Sequence, residues 1–205
     1  MKRGFENIER NENRSTSTKI LDTRLPAARI KATFTLLLIT VMLSLSLLSC
    51  EKKKSEPTLA PVKKDEASGE RFWKRITEES NYREYSYWPG HEGMQPGQAP
   101  HGVFHKVFIN KTLREALPVE DRIAPEGSIV VKENYNADKK LTSITLMAKV
   151  KGFSSEYGDW FWANYTPEGK VKVAGEVSSC ISCHEGKRDN DYIIIKPLDK
   201  ALPSR

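Results

Sequence analysis

The sequence has little of what most metal and cofactor sites are built from. Its 205 residues include three cysteines and four histidines. A structural zinc site needs four ligands. Apart from Cys180, Cys183 and His184, only His91, His101 and His105 remain, and there is no second cysteine pair. Cys180 and Cys183 are too close in sequence for an unstrained disulfide. The chain also lacks internal repeats, βαβ alternation and a glycine-rich phosphate loop. The missing βαβ context argues against a thioredoxin-like dithiol. Positive charge is less abundant than it looks. The chain carries +6, but residues 1–49 hold eight Lys/Arg against four Asp/Glu and account for +4 of it. The remainder is +2, which gives no basis for a nucleic-acid partner.

Long apolar runs are also scarce. There is one, "ATFTLLLITVMLSLSLLS" at 32–49, preceded by Arg29 and Lys31. A basic flank, an apolar run and a small residue at its end form the layout of an export signal. The run closes on Leu47-Leu48-Ser49-Cys50, which resembles the lipobox of bacterial lipoproteins, with Cys50 as the lipidated residue. An uncleaved transmembrane helix is the competing reading; the LLSC ending favours the lipoprotein. Residues 1–50 are therefore expected to be an export signal. Residues 51–70, "EKKKSEPTLAPVKKDEASGE", are too charged to offset the entropy of ordering and are expected to be a flexible tether. Residues 71–205 are left as one domain, large enough for a single core. The expected location is the bacterial cell envelope, membrane-attached through Cys50 and facing the periplasm or the outer surface.

Within that domain, 71–85 has apolar spacing suited to a helix, with Thr77 or Ser80 as candidate caps. Residues 88–102, with four Gly and three Pro, read as a loop. Segments 103–110, 128–135, 141–150 and 159–166 are rich in β-formers, 170–175 is a short fifth strand, and 111–117 is a short helix. The pattern predicts an α+β fold: one antiparallel sheet with a few short helices. Alternation along 159–166 puts Trp160 and Trp162 on one face.

The densest chemistry is "CISCH", 180–184. C-x-x-C-H is the pattern of a c-type haem attachment site. Two thiols three residues apart can bond both haem vinyl groups, and the next histidine is then held under the iron. Cys180 and Cys183 are the candidate anchors of one haem c, and His184 is the candidate iron ligand. The motif lies near the C-terminus, after a run of strands, whereas small c-type cytochromes are usually helical with the motif near the N-terminus.

With that placement, the chain resembles the cytochrome P-460 and cytochrome c-prime-beta family over about residues 82–195. The resemblance rests on "WPG", "APHG" and "VFIN" within 88–110, "PEGSIVVKE" at 125–133, "GDWFWANY" at 158–165 and "CISCH" with the later "DY". It implies a five-coordinate haem c beside an antiparallel sheet, an open distal face for small ligands, and a tendency to form homodimers. In the P-460 branch a lysine is bonded to the porphyrin, and the resemblance puts that role on Lys132. Read without it, Lys132 is a surface strand lysine. The hydroxylamine-oxidising members carry a distal glutamate and arginine, which align here with Met147 and His105. Methionine cannot accept protons as a carboxylate can, so the alignment argues against efficient hydroxylamine oxidation. Met147 is either core filler or a distal-pocket residue, and His105 is either solvent-facing or a distal-pocket residue. His101 is a further candidate, as a sixth iron ligand.

Three functions follow. The first is an oxidoreductase acting on hydroxylamine or a peroxide, the second a protein that binds a gaseous or nitrogenous ligand. The third is an electron carrier with a sixth ligand from Met147 or His101. Redox turnover at a single haem requires an external redox partner protein.

Overall fold

The computed structural model describes residues 56, 57 and 59–200, which fall in one compact unit. The expected export signal and Cys50 lie outside the described residues. Among the described residues no helix is long and apolar enough to cross a membrane.

The architecture is a single antiparallel sheet with a few short helices, as the pattern predicts, but of seven strands and not five, since two two-residue strands precede those expected. The strands are β1 (Ser86–Tyr87), β2 (Gln95–Pro96), β3 (Phe104–Ile109), β4 (Ile129–Tyr135), β5 (Leu141–Lys149), β6 (Trp160–Tyr165) and β7 (Val171–Gly175). They run in the order β1-β3-β4-β5-β6-β7, and β2 also pairs with β3. Strand β1 lies just before the Gly/Pro loop and β2 within it, so that loop is stitched to β3 at two points.

Side chains alternate across each strand, and here both faces are covered. On one face Phe108, Val131, Leu146, Phe161 and Ala163 pack against Phe72, Ile76 and Tyr82. On the other, Val107, Ile109, Val130, Met147, Trp160 and Trp162 pack against Leu113, Ile181, Tyr192 and Leu198. The first face also buries Glu133. Its carboxylate accepts from Tyr82 Oη (2.8 Å), Tyr135 Oη (2.5 Å) and Arg83 Nε (2.9 Å). A buried carboxylate is tolerable only with such donors, and this set ties the chain before β1 to the central strand.

The N-terminal helix differs from the expectation for 71–85. Helix α1 (Gly69–Lys74) starts earlier, capped by Ser68, whose Oγ accepts from Arg71 N (3.1 Å). It then widens into a π turn, Arg75–Glu79. Neither candidate cap acts as one: Thr77 Oγ1 donates back to Trp73 O (2.7 Å) and Ser80 Oγ to Arg75 O (2.8 Å). Both bonds compete with regular winding instead of starting it. The expected tether also differs. Val62 is buried in the core, and the Glu56 carboxylate accepts from Lys111 N (2.8 Å). A few apolar and capping contacts thus hold part of a highly charged segment on the domain.

Helix α2 (Lys111–Ala116) is capped by Asn110, which also bonds Ile129 N and so fixes the end of β3 to the start of β4. Helix α3 (Ser178–His184) follows β7 and carries the cysteine pair. A 3₁₀ stretch, Glu185–Asn190, continues it and ends on two left-handed residues, Asp191 (φ 50°) and Tyr192 (φ 63°).

Candidate haem-binding site

Three residues of spacing on one helix put Cys180 and Cys183 on the same side of α3. Both thiols are free, Cys180 half-buried and Cys183 exposed. Burial pushes the Cys180 thiol up. His184 ends the helix, and its Nδ1 lies 2.7 Å from Tyr192 O. A carbonyl only accepts, so Nδ1 carries the proton and the Nε2 lone pair is available to a metal. Outer hydrogen bonds of this kind fix the tautomer and orientation of a metal-bound histidine.

The Tyr192 carbonyl is itself held in place. Left-handed geometry at non-glycine residues costs about 1–2 kcal/mol each, and the preceding Asp191 offsets this with four contacts. Lys149 Nζ donates to both its carboxylate oxygens (2.7 and 2.6 Å). Ala124 N donates to Oδ2 (2.9 Å), and Trp160 Nε1 donates to the Asp191 carbonyl (2.9 Å). The Lys149 ammonium also lies 5.0 Å from the Trp160 ring centre. Trp160 and Trp162 share the face that alternation predicts, and Trp162 stands edge-on to His184 with ring centres 4.8 Å apart.

The same face carries Lys132. Across the sheet, Val107, Lys132, Thr145 and Asn164 form one row, and Ile109, Val130, Met147 and Trp162 form the next. Lys132 is half-buried on a covered face, and the surface-lysine reading does not hold. Burial pulls its pKa down to about 8, and among the described residues no ion-pair partner offsets this. Its charge reaches all four histidines. Burial first, then Lys132, holds His101 and His105 down to about 4. His184 and His91 are lowered too, chiefly by burial, with Lys132 contributing to both.

His105 is buried, which overturns the solvent-facing alternative. Strand β2 and its loop cover it, and its Nε2 lies 2.7 Å from His91 Nε2 with the rings stacked. Met147 is buried in the apolar cluster with Trp162 and Ile181. The structure places neither directly against His184. His101 is the histidine that meets it, with ring centres 6.3 Å apart and planes at 86°.

Four buried polar atoms on this face have no partner: His105 Nδ1, Asn134 Oδ1, Trp162 Nε1 and Asn164 Oδ1. Orphaned buried groups are rare unless something else satisfies them. Two free thiols on one side of a helix, a tautomer-fixed histidine and the unpartnered Trp162 Nε1–H beside it suit a face that receives a macrocycle with acidic edge groups. The cleft lined by Glu56, Arg75, Tyr85 and Asn110 includes none of these residues.

A family model, Cytochrome P460, matches residues 80–195. The chain belongs to the cytochrome P460 family. The matched span runs from the turn before β1 to just beyond Tyr192 and contains every residue of the candidate haem site. The family implies a haem cofactor, and the residues present fit one. A search of curated proteins gave no match.

The lowered histidines have a consequence for this P460-family domain. In an unfolded chain His105 titrates near 6.5, and its folded pKa lies below that value. As pH falls, the unfolded chain therefore takes up the proton first. The stability contributed is fully present above about pH 6.5 and is lost as pH falls toward 4. The thermal midpoint of the holoprotein is expected to drop across that window, and to drop less in His105→Gln. Equal drops in both proteins would show that His105 is not the titrating group.

Proposed function

We propose that this chain is a single-haem c-type cytochrome that binds a small neutral diatomic ligand at the haem iron. The observation that carries the reading is helix α3, with two free thiols three residues apart and a following histidine whose Nδ1 is tied to a backbone carbonyl. Cys180 and Cys183 would hold the group through two thioethers, each thiol adding across one vinyl with its hydrogen passing to the neighbouring carbon and no net oxidation. His184 Nε2 would ligate the iron. The bound group supplies an iron that takes small ligands and stores one electron.

The surrounding side chains favour ligand binding over hydroxylamine oxidation. Trp162 stands against His184, and Met147 packs with Trp162 in the same apolar cluster. Lys132 has no carboxylate partner among the described residues, and a methionine stands where the resemblance aligns a proton-accepting glutamate. The Lys132 amine sits at the position where the resemblance puts a bond to the porphyrin. Such a bond has its own signature, a strongly red-shifted Soret band that Lys132→Ala removes.

Export and a lipid on Cys50 complete the reading, which makes the protein an envelope-anchored cytochrome. A labelled fatty acid should be incorporated by the wild type and not by Cys50→Ala. The functional test is a titration of the reduced holoprotein with nitric oxide and carbon monoxide, followed by incubation with hydroxylamine and an artificial acceptor. Reversible spectral shifts with the gases and no hydroxylamine consumption are expected. Sustained consumption would replace this reading with the oxidoreductase.

A further inference from the structure

We propose that His101 is the resting sixth ligand of the haem iron, so that an incoming diatomic ligand binds by displacing it. The inference rests on the haem reading above and departs from the open distal face that the resemblance implies.

It starts from one distance. The ring centres of His101 and His184 are 6.3 Å apart, with planes at 86°. Two imidazole nitrogens on opposite sides of one metal ion stand about 4 Å apart, since each metal–nitrogen bond is about 2 Å. Adding the half-width of each ring puts the ring centres about 6 Å apart, and the two planes are free to take any mutual angle. The fold thus holds these two rings at the spacing of an axial pair.

The backbone around His101 explains why the ring stays there. His101 N donates to Gln98 O (2.9 Å), closing a turn, and Val103 N donates to Tyr135 O (2.9 Å). Gly102 between them has φ 81°, and a Cβ there would run into the Tyr135 carbonyl. The segment is clamped to the end of β4 within two residues of the imidazole. Asn134, one residue before that clamp, has a buried Oδ1 without a partner, an acceptor available to one ring N–H of His101. That is the outer contact that orients a metal-bound histidine.

Rival ligands are committed elsewhere. His91 and His105 bond each other. Met147 is packed among Trp162, Ile181 and Val130. Among the described residues Lys132 is the other candidate ligand on this face without such a tie, so the test includes it. His101 sits on a loop and not on a central strand, so it can leave the iron without disrupting the sheet. A protein whose binding-competent state is a fraction of the whole shows its intrinsic affinity reduced by that fraction.

The experiment uses the full chain carrying covalently attached haem, compared with His101→Ala and Lys132→Ala. The readouts are the oxidised absorption and electron paramagnetic resonance spectra and the kinetics of carbon monoxide binding to the reduced form. Wild type is expected to be low-spin and six-coordinate, with carbon monoxide association that saturates at high gas concentration. His101→Ala is expected to become high-spin and to bind carbon monoxide at least about tenfold faster or tighter. Added imidazole should return it to low spin, which separates a lost ligand from a misfolded variant. A high-spin wild type with covalent haem would overturn the inference and leave the haem reading standing. Loss of low spin in Lys132→Ala but not in His101→Ala would also overturn it. A wild-type chain without covalent haem would overturn both.

Discussion

Replacing Lys149 by methionine is expected to cost about 3–5 kcal/mol of folding stability, because it strands a buried carboxylate. Lys149 and Asp191 are both buried, and the ammonium donates to both carboxylate oxygens. With the lysine gone, Asp191 keeps only the Ala124 amide on its side chain. A domain of this size has about 5–15 kcal/mol in total, so the loss would show plainly in a urea titration. The damage should also reach the site. Asp191 and Tyr192 are both left-handed, and the Tyr192 carbonyl is the acceptor for His184 Nδ1. Relaxation of that turn releases the imidazole, so the reduction potential and the absorption of a haem held as proposed are expected to move as well. Removing both charges with Lys149→Met and Asp191→Asn should cost clearly less than the sum of the single changes. Additive costs, or a Lys149→Met loss within about 0.5 kcal/mol of zero, would mean that the pair does not hold the turn.

The second large effect is expected at Gly102. Its φ of 81° disfavours any side chain, and a Cβ would meet backbone and not a flexible side-chain tip. The left-handed penalty is about 1–2 kcal/mol, and forcing backbone apart adds about 1–3 kcal/mol. Gly102→Ala is therefore expected to lose stability on the order of 2–5 kcal/mol by the same two terms. It should also lift the turn carrying His101 away from β4, so that, if His101 ligates the haem as proposed, the high-spin fraction rises. Gly93→Ala is the control, since its φ is also positive but a Cβ there meets nothing within 4 Å. It should lose the backbone term only and leave the spectrum unchanged. Similar losses at both glycines would remove the close approach to Tyr135 from the explanation.

The sheet was legible because its strands alternate or run apolar over six to nine residues, as in Ile129–Tyr135 and Leu141–Lys149. The candidate haem anchors were legible because Cys180, Cys183 and His184 are local in sequence and their chemistry depends on spacing alone. What the sequence concealed depends on contacts between distant residues. The His91–His105 bond joins residues 14 apart across a Gly/Pro loop, and Lys149–Asp191 joins residues 42 apart. A lysine inside the apolar run "LMAKV" was the one available signal of a buried charge. No local pattern distinguishes which histidine meets His184, because that depends on how the 88–102 loop is stitched to β3. The π turn after α1 was hidden for another reason: Thr77 and Ser80 are as suited to back-bonding as to capping.

The most direct test of the account is the intact mass of the full chain, purified from a host that attaches haem c and denatured before measurement. The account predicts a polypeptide carrying the mass of one haem that denaturant does not remove. It also predicts that the Cys180→Ala/Cys183→Ala variant has the bare polypeptide mass. A wild-type chain at its bare mass, with both thiols open to alkylation, would contradict the assignment of Cys180, Cys183 and His184 and everything built on it.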